Sequence, residues 1–181
     1  ENVTNPGDLI IVFIVVSVEK VSIHPNADRL IICLVNNGEE NYEVVCGAPN
    51  AREGIKGIFA REGQFIPGLE IKLRKSEIRG VVSNGMLLSE KELGISDDHE
   101  GIVELSGNFA LGSSAANALG LSDIVYEIAI TPNRGDCLGI RGVARDLAAA
   151  GAGKLKSTKI RSNPGTFKSP IIWKRSFKKN N

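Results

Sequence analysis

Cysteine, histidine and carboxylate side chains are the groups in this chain that could supply a nucleophile or a metal site. Cys33, Cys46 and Cys137 lack Cys-x-x-Cys spacing, so they indicate neither a zinc site nor a disulfide framework. His99 lies in an acidic run at residues 96–101, but consecutive side chains in a short loop rarely converge on one ion, and EF-hand spacing is absent. We therefore predict no catalytic residue and no metal site.

The turn at residues 131–138 contains the third cysteine. A cysteine nucleophile needs an activating base, and no histidine lies near Cys137 in the sequence. We predict that Asn133 and Asp136 act as caps in this turn, that Arg134 pairs locally, and that a helix follows from about residue 138 to 150.

Lysine and arginine side chains point instead to the binding of a polyanion. Four of them fall within eight positions: Lys72, Arg74, Lys75 and Arg79. They lie on or after a stretch, residues 69–73, whose alternating apolar side chains are predicted to face a core. Such cations attract phosphate groups whatever the base sequence. The alternative is an ordinary solvent-exposed sheet face, partly neutralised by Glu70 and Glu77.

The charge is distributed unevenly along the chain, although the net charge is only +1. Residues 1–153 hold 13 Lys and Arg against all 21 Asp and Glu, a balance of −8. Residues 154–181 hold the other nine basic residues and no acid. This asymmetry predicts either a basic arm for nucleic acid or a solvated linker.

The composition indicates a mainly β protein with short helices, because 20 glycines and 5 % aromatic residues fit a turn-rich β domain. The apolar run at residues 9–18 is about half the length of a membrane-spanning helix, so we predict a buried strand from Ile10 to Lys20. No basic segment precedes it, which argues against a signal peptide. We expect a cytoplasmic protein, and the missing initiator Met suggests a fragment.

The central element of the prediction is residues 80–94, a strand that runs into a short helix. Asn84-Gly85 predicts a bulge or a close backbone approach. Ser89 and Glu92 form a capping box, and Gly94 supplies a left-handed stop. The other elements are predicted from pattern alone: strands at 30–35 and 41–46 around a type I′ turn at Asn36-Asn37-Gly38, strands at 56–60, 102–105 and 124–130, and a helix at 113–119. A short helix between strands is typical of the five-stranded OB-fold barrel.

Three motifs in this framework resemble one family. They are His-Pro-Asn-Ala-Asp-Arg-Leu at 24–30, Cys-Gly-Ala-Pro-Asn at 46–50, and Arg-Gly-Val-Val-Ser-Asn-Gly-Met-Leu-Leu-Ser at 79–89. They are similar to the tRNA-binding OB domains of the phenylalanyl-tRNA synthetase beta subunit, of the methionyl enzyme's C-terminal extension and of free-standing tRNA-binding proteins. Beside the four cations above, the resemblance implies RNA-binding roles for His24, Asn26, Arg29, Asn84, Met86 and Ser89.

The segment at 131–148 distinguishes between these relatives, because it resembles the sequence that follows the OB domain in bacterial beta subunits. Residues 165–175, including Trp173 and Arg175, resemble the approach to the next domain. The resemblance implies an OB domain at 7–118, a small α/β strand-turn-helix module at 119–155 and a basic linker at 156–181. It further implies a non-catalytic part of an α2β2 ligase that uses ATP and magnesium, with tRNA(Phe) and the alpha subunit as partners.

Two other functions stay open at the level of sequence. One is a structural or oligomerisation module without tRNA contact, which an exposed apolar stripe around Ile140 and Leu147 would favour. The other is a free-standing tRNA-binding protein, which the segment at 131–138 disfavours.

Overall fold

The computed structural model describes residues 2–159, 161–172 and 174. The chain forms two compact units, Glu1–Ile128 and Ala129–Asn181, which are considered one at a time. The predicted boundaries after residues 118 and 155 stay predictions. The resemblance at Trp173 and Arg175, and the end of the predicted linker, fall outside the described residues.

The first unit is built almost entirely from β-strands. In chain order they are β1 (Asn2–Thr4), β2 (Ile14–Ile23), β3 (Ile31–Asn36), β4 (Asn41–Cys46), β5 (Lys56–Arg61), β6 (Phe65–Ile66), β7 (Ile71–Lys72), β8 (Ser76–Ile78), β9 (Val81–Ser83), β10 (Gly85–Leu87) and β11 (Val125–Glu127). Five of them form one antiparallel sheet in the order β10-β5-β2-β3-β4. The remaining strands form three two-stranded ladders, β1–β11, β6–β7 and β8–β9.

The five-stranded sheet curls into a nearly closed barrel. At the seam, the Asn84 amide donates to the Glu43 carbonyl at 2.9 Å, and the Val45 amide donates to the Ser83 hydroxyl at 3.1 Å. These bonds join β4 to the β9–β10 segment, so neither end of the sheet is left as a free edge there. The predicted OB-type barrel is confirmed.

Strand β2 is the central strand of the five-stranded sheet, and consecutive side chains on it are buried on opposite faces. Val15 packs into one hydrophobic cluster with Phe13 and Ile58, while Val16 packs into the other with Phe59. All five side chains are fully buried. Period-2 alternation therefore gives way to a continuous apolar run, as expected of a strand covered on both faces.

Helices are short and few among the described residues. Helix α1 (Ala115–Ala118) belongs to the first unit. In the second unit a 3₁₀ turn (Gly135–Cys137) leads into α2 (Ile140–Ala149). A Cβ at Gly142 would lie 1.8 Å from the Asp136 carbonyl oxygen, so only glycine lets α2 pack this closely on the turn.

Several predicted elements differ from the structure at their ends. The strand predicted from Ile10 to Lys20 is β2, which runs from Ile14 to Ile23. It begins late because turn-type bonds from the Ile10 amide to the Gly7 carbonyl and from the Phe13 amide to the Ile10 carbonyl curl the preceding residues. The hairpin between β3 and β4 has a four-residue loop, 37–40, in place of a two-residue type I′ turn. In that loop the Asn37 side chain accepts from the amides of Glu39 and Glu40, which stabilises the wider turn.

Other predicted elements are shorter or absent. Residues 89–94 form hydrogen-bonded turns instead of a helix, and residues 102–105 are not a strand, although the Val103 and Leu105 amides still bond to Leu88 and Lys56. The strand at 69–73 is reduced to β7, and Ile71 points to solvent with 48 % exposure. The predicted strand at 124–130 and helix at 138–150 shorten to β11 and α2, and the helix at 113–119 shortens to α1.

Candidate nucleic-acid interface

His24 is buried at the start of the 24–30 loop, with 2 % of its surface exposed. Its Nδ1 accepts a hydrogen bond from the Asn26 amide at 3.1 Å, and its Nε2 lies 3.0 Å from the Ile78 carbonyl oxygen. An acceptor at Nδ1 places the ring proton on Nε2, which donates to the carbonyl. The neutral ring therefore connects the loop to strand β8, and both of its nitrogens are used within the molecule.

Asn26 forms a second link between the same two segments. Its side-chain Nδ2 donates to the Arg79 carbonyl at 2.9 Å, and the Arg79 guanidinium donates back to the Asn26 carbonyl at 3.4 Å. Arg79 and Gly80 have φ values of +48° and +89°, so they form the tight turn between β8 and β9. The 24–30 motif thus holds the β8–β9 hairpin by its turn, and we call this arrangement the hairpin clamp.

Two of the predicted cations, Arg29 and Arg79, belong to the clamp, and three others lie on the segment that leads into its hairpin. Arg29 and Arg79 line one cavity of about 460 Å³ together with Asp28. The side chains of Lys72, Arg74 and Lys75 are exposed on β7 and on the loop that leads to β8. Within the described part of the chain, none of these five cations forms an ion pair within 4.0 Å. They are therefore available to an anionic partner.

The other predicted site residues lie elsewhere. Asn84 is at the barrel seam, where its side-chain amide donates to the Glu43 carbonyl at 3.4 Å. Met86 and Ser89 line a separate cavity of about 220 Å³ that also contains Glu92 and Glu100. The carboxylates make this cavity a poor match for phosphate.

The predicted capping box is present, although no helix follows it. The Ser89 amide donates to the Glu92 carboxylate at 2.5 Å, and the Glu92 amide donates to the Ser89 hydroxyl at 3.3 Å. Gly94 closes the turn with φ +72°. Only 4 % of the surface of Ser89 is exposed. Its hydroxyl therefore serves as a hydrogen-bond acceptor within the turn.

One group of possible metal ligands occurs among the described residues: Asp136, Cys137 and Asp146, whose ligand atoms lie within 4.8 Å of one another. Arg134 and Arg145 each bridge the two carboxylates, with Arg134 Nε 3.1 Å from Asp136 and Arg145 Nη2 3.2 Å from Asp146. Hydrogen bonds from Arg134 and then Arg145 hold the pKa of Asp136 well below its usual range. Two guanidinium groups therefore already neutralise both carboxylates, and this donor set does not fit a metal ion.

This ion cluster corrects part of the sequence prediction for the turn. Arg134 pairs locally, as predicted, but no side chain caps α2, whose N-cap residue is Gly139. Asp136 is an ion-pair acceptor instead of a cap. Removal from water, followed by the contact with Asp146, raises the pKa of the Cys137 thiol, which makes it a poor nucleophile.

One further pair of side chains on the barrel was not predicted from the sequence. The Arg61 guanidinium on β5 lies 5.6 Å from the centroid of the Tyr42 ring on β4, within cation–π range. The Tyr42 ring is half-buried, and its centroid lies 5.1 Å from that of the Phe59 ring. An aromatic ring beside an arginine is a combination found at sites where nucleic-acid bases stack. Tyr42 stands two residues before the buried Val44, a spacing that places both side chains on the same face of β4. This pattern does not show that Arg61 on β5 lies beside Tyr42, because the two strands meet only across the barrel.

Among the described residues, every helix is too short or too polar to span a membrane.

Residues 13–114 match the family described as "Putative tRNA binding domain". This range starts beside β2 and ends just before α1, so it covers the whole barrel and the hairpin clamp.

Curated relatives match over nearly the whole chain. The phenylalanine-tRNA ligase beta subunit of Gluconobacter oxydans is 50 % identical over 176 residues, which is 96 % of this chain and 21 % of the relative. The beta subunit of Ruegeria pomeroyi is 46 % identical over 175 residues, 94 % of this chain and 22 % of the relative. The chain thus spans about a fifth of the length of these relatives, and the predicted resemblance is confirmed.

A solved structure described as a MetRS-related protein from Pyrococcus horikoshii superposes with a TM-score of 0.41 and 22 % identity. The match covers 57 % of this chain and 87 % of that one. A score this low supports no argument about function.

Proposed function

Because the chain belongs to the tRNA-binding domain family, we propose that its first unit binds tRNA through exposed cations of the hairpin clamp and of the segment that leads into its hairpin. The observation that carries the proposal is the exposure of five cations: Arg29, Lys72, Arg74, Lys75 and Arg79. Such side chains bind the phosphate backbone and set the orientation of the RNA without reading its sequence.

His24 and Asn26 contribute to this function by positioning. Their polar atoms are directed at Ile78 and Arg79 rather than at solvent, so they fix the hairpin against the 24–30 loop. A turn held at two points gives Arg79 a defined geometry before the RNA arrives, which lowers the ordering cost of binding.

We further propose that this segment works within a phenylalanine-tRNA ligase beta subunit. Identity near 50 % over almost the whole chain, including residues 131–148, supports this assignment over a free-standing tRNA-binding protein. For the whole enzyme we propose an α2β2 tetramer with an alpha subunit, the use of ATP and magnesium, and a cytoplasmic location. The segment itself is non-catalytic.

Electrostatics set a limit on the affinity. The first unit carries 10 Lys and Arg against 19 Asp and Glu, a balance of −9. A body of this charge repels a polyanion at long range, while counterion release makes each phosphate contact weaken with salt. Binding by the isolated chain is therefore expected to be weak and steeply salt-dependent.

A scaffolding role is the second candidate function, and one observation favours it. Ile140 and Leu147 on α2 are 91 % and 54 % exposed, although a soluble helix normally buries its apolar face. An apolar surface of this kind marks an interface. The same segment could contribute both tRNA binding and assembly, since the two surfaces lie on different units.

The test of tRNA binding is an affinity titration across a salt series. Lys72→Glu with Arg74→Glu should lower the affinity and reduce the slope of log K against log salt by about 1.5. The matched control is Lys20→Glu with Lys91→Glu, which changes the net charge equally at exposed positions outside the surface. Equal weakening by both pairs would mean that only net charge matters. A chain without residues 154–181 should still bind, and loss of binding would move the contact to the basic tail.

A further inference from the structure

The second unit has almost no core of its own. Among its described residues only Cys137 and Gly142 are buried. On α2 and the segment after it, Ile140, Leu147 and Leu155 keep 91 %, 54 % and 43 % of their surface exposed. Leaving these side chains in water forgoes the main stabilising contribution that an amphipathic helix normally makes.

A groove of about 530 Å³ runs between α2 and residues 152–158. The Arg141 guanidinium donates to the Thr158 hydroxyl at 3.3 Å, which ties the outer wall of the groove to the helix. Its apolar lining is aliphatic and consists mainly of Ile140, Ala144, Leu147 and Leu155, which we call the floor of the groove.

The charged lining of this groove is entirely positive. It consists of Arg141, Lys154 and Lys156, which we call the rim, and no carboxylate lines the groove. The two acids of the second unit, Asp136 and Asp146, are already paired with Arg134 and Arg145. No internal anion therefore offsets the rim charge.

We propose that this groove binds a protein segment whose apolar side chains are flanked by aspartate or glutamate. The inference rests on the scaffolding part of the proposed function and names the chemistry of the partner. Apolar anchors would displace water from the aliphatic floor, while carboxylates would meet the three cations at the rim. An amphipathic helix laid along α2 meets both requirements, because its anchors recur every three to four residues.

RNA fits the groove less well than an acidic protein segment. Single-stranded RNA sites combine cations with aromatic rings on which bases stack. No aromatic side chain lines this groove, and its apolar lining is aliphatic. The rim charge suits either partner, so the floor decides between them.

The experiment uses the chain as it exists and two synthetic helical peptides of about 18 residues. Both carry leucine at i, i+3, i+4 and i+7; one has glutamate and the other lysine at positions flanking the leucines, and both have alanine elsewhere to keep the helix stable. Fluorescence anisotropy should show the glutamate peptide binding about ten-fold more tightly at low salt. Lys154→Glu with Lys156→Glu should remove or reverse this preference.

Apolar variants test the floor independently of the rim. Leu147→Ser should weaken binding of the glutamate peptide about five- to ten-fold, since it removes a half-exposed leucine side chain from the contact. Ile172→Ser is the matched control, because Ile172 is 88 % exposed and does not line the groove. Circular dichroism of each variant checks that α2 is retained. If Leu147→Ser loses the helix, the milder variant Leu147→Ala is measured in its place.

Three kinds of result would overturn the proposal. One is equal binding of the two peptides, or equal effects of Leu147→Ser and its control. The second is displacement of the glutamate peptide by tRNA, which would make RNA the occupant. The third is self-association in sedimentation that Leu147→Ser abolishes, which would make a second copy the occupant. Salt-dependent tRNA binding by the first unit is measured on the same variants. A failure of the tRNA-binding proposal can therefore be distinguished from a failure of the groove proposal.

Discussion

Replacing His24 tests whether the 24–30 motif acts by holding the β8–β9 hairpin. The ring makes two hydrogen bonds between neutral groups, to the Asn26 amide and the Ile78 carbonyl, and it is almost fully buried. Each bond contributes about 1 kcal/mol, and a partner left unsatisfied adds to the loss. His24→Ala should therefore lower the free energy of unfolding by about 2–3 kcal/mol, a drop in Tm of roughly 10 °C.

A more conservative change separates the two bonds. In His24→Asn the shorter side chain can still accept from the Asn26 amide in an Asx turn, but it cannot reach the Ile78 carbonyl at its present position. We expect this variant to lose about 1–2 kcal/mol. Its effect should be concentrated in the hairpin.

The assay combines thermal unfolding with amide hydrogen exchange of β8 and β9. The control is His99→Asn, the same substitution at an exposed histidine, which should change stability by less than about 0.5 kcal/mol. Faster exchange confined to residues 76–83 in His24→Asn is the expected result. Hairpin exchange identical to that of the unmodified chain would refute the clamp, even if the variant were globally less stable.

Three further changes probe other parts of the structure. Gly85→Ala places a Cβ 2.3 Å from the Phe59 ring and should destabilise the barrel by about 2–4 kcal/mol in urea unfolding, whereas an unchanged midpoint would contradict the close approach. Ser89→Ala removes the hydroxyl acceptor of the capping box and should cost about 1 kcal/mol in thermal unfolding; a cost near zero would show that the carboxylate arm suffices. Acid should loosen α2: hydrogen bonds from arginine lower the pKa of Asp136 and Asp146, so their stabilising contribution is complete above the ordinary carboxyl pKa of about 4 and fades as pH falls below it. Amide NMR of α2 between pH 6 and pH 2 checks this, and unchanged spectra would count against the ion cluster.

The barrel was predictable because its main signals are local. The β3–β4 hairpin, strand β5 and the capping box follow from short patterns that the structure retains. The start of β2 was not predictable, because residues 9–13 are as apolar as the strand that follows. Whether such a run extends or curls depends on which of its side chains reach the core, and here Ile10 and Phe13 do while Ile11 and Val12 remain exposed.

The candidate site was predictable in composition but not in arrangement. The cations could be identified by type and spacing, and they are exposed as expected. The inward role of His24 and Asn26 depends on contacts more than 50 residues away in sequence, at Ile78 and Arg79. A single sequence carries no signal for such contacts. The family resemblance associates the motif at 24–30 with RNA, yet the side chains of His24 and Asn26 in this motif bond within the protein.

The central position of β2 also determines the order in which a new chain can fold. Strands β3 and β4 follow β2 directly and can form a local meander, whereas β5, the other partner of β2, begins 33 residues after β2 ends. Pairing across that separation is slow compared with hairpin closure. Until Lys56–Arg61 has left the ribosome, the Ile14–Ser17 edge of β2 remains an unpaired apolar strand. The nascent chain is therefore most vulnerable to aggregation before β5 emerges, and a pause in translation before residue 61 would prolong that exposure.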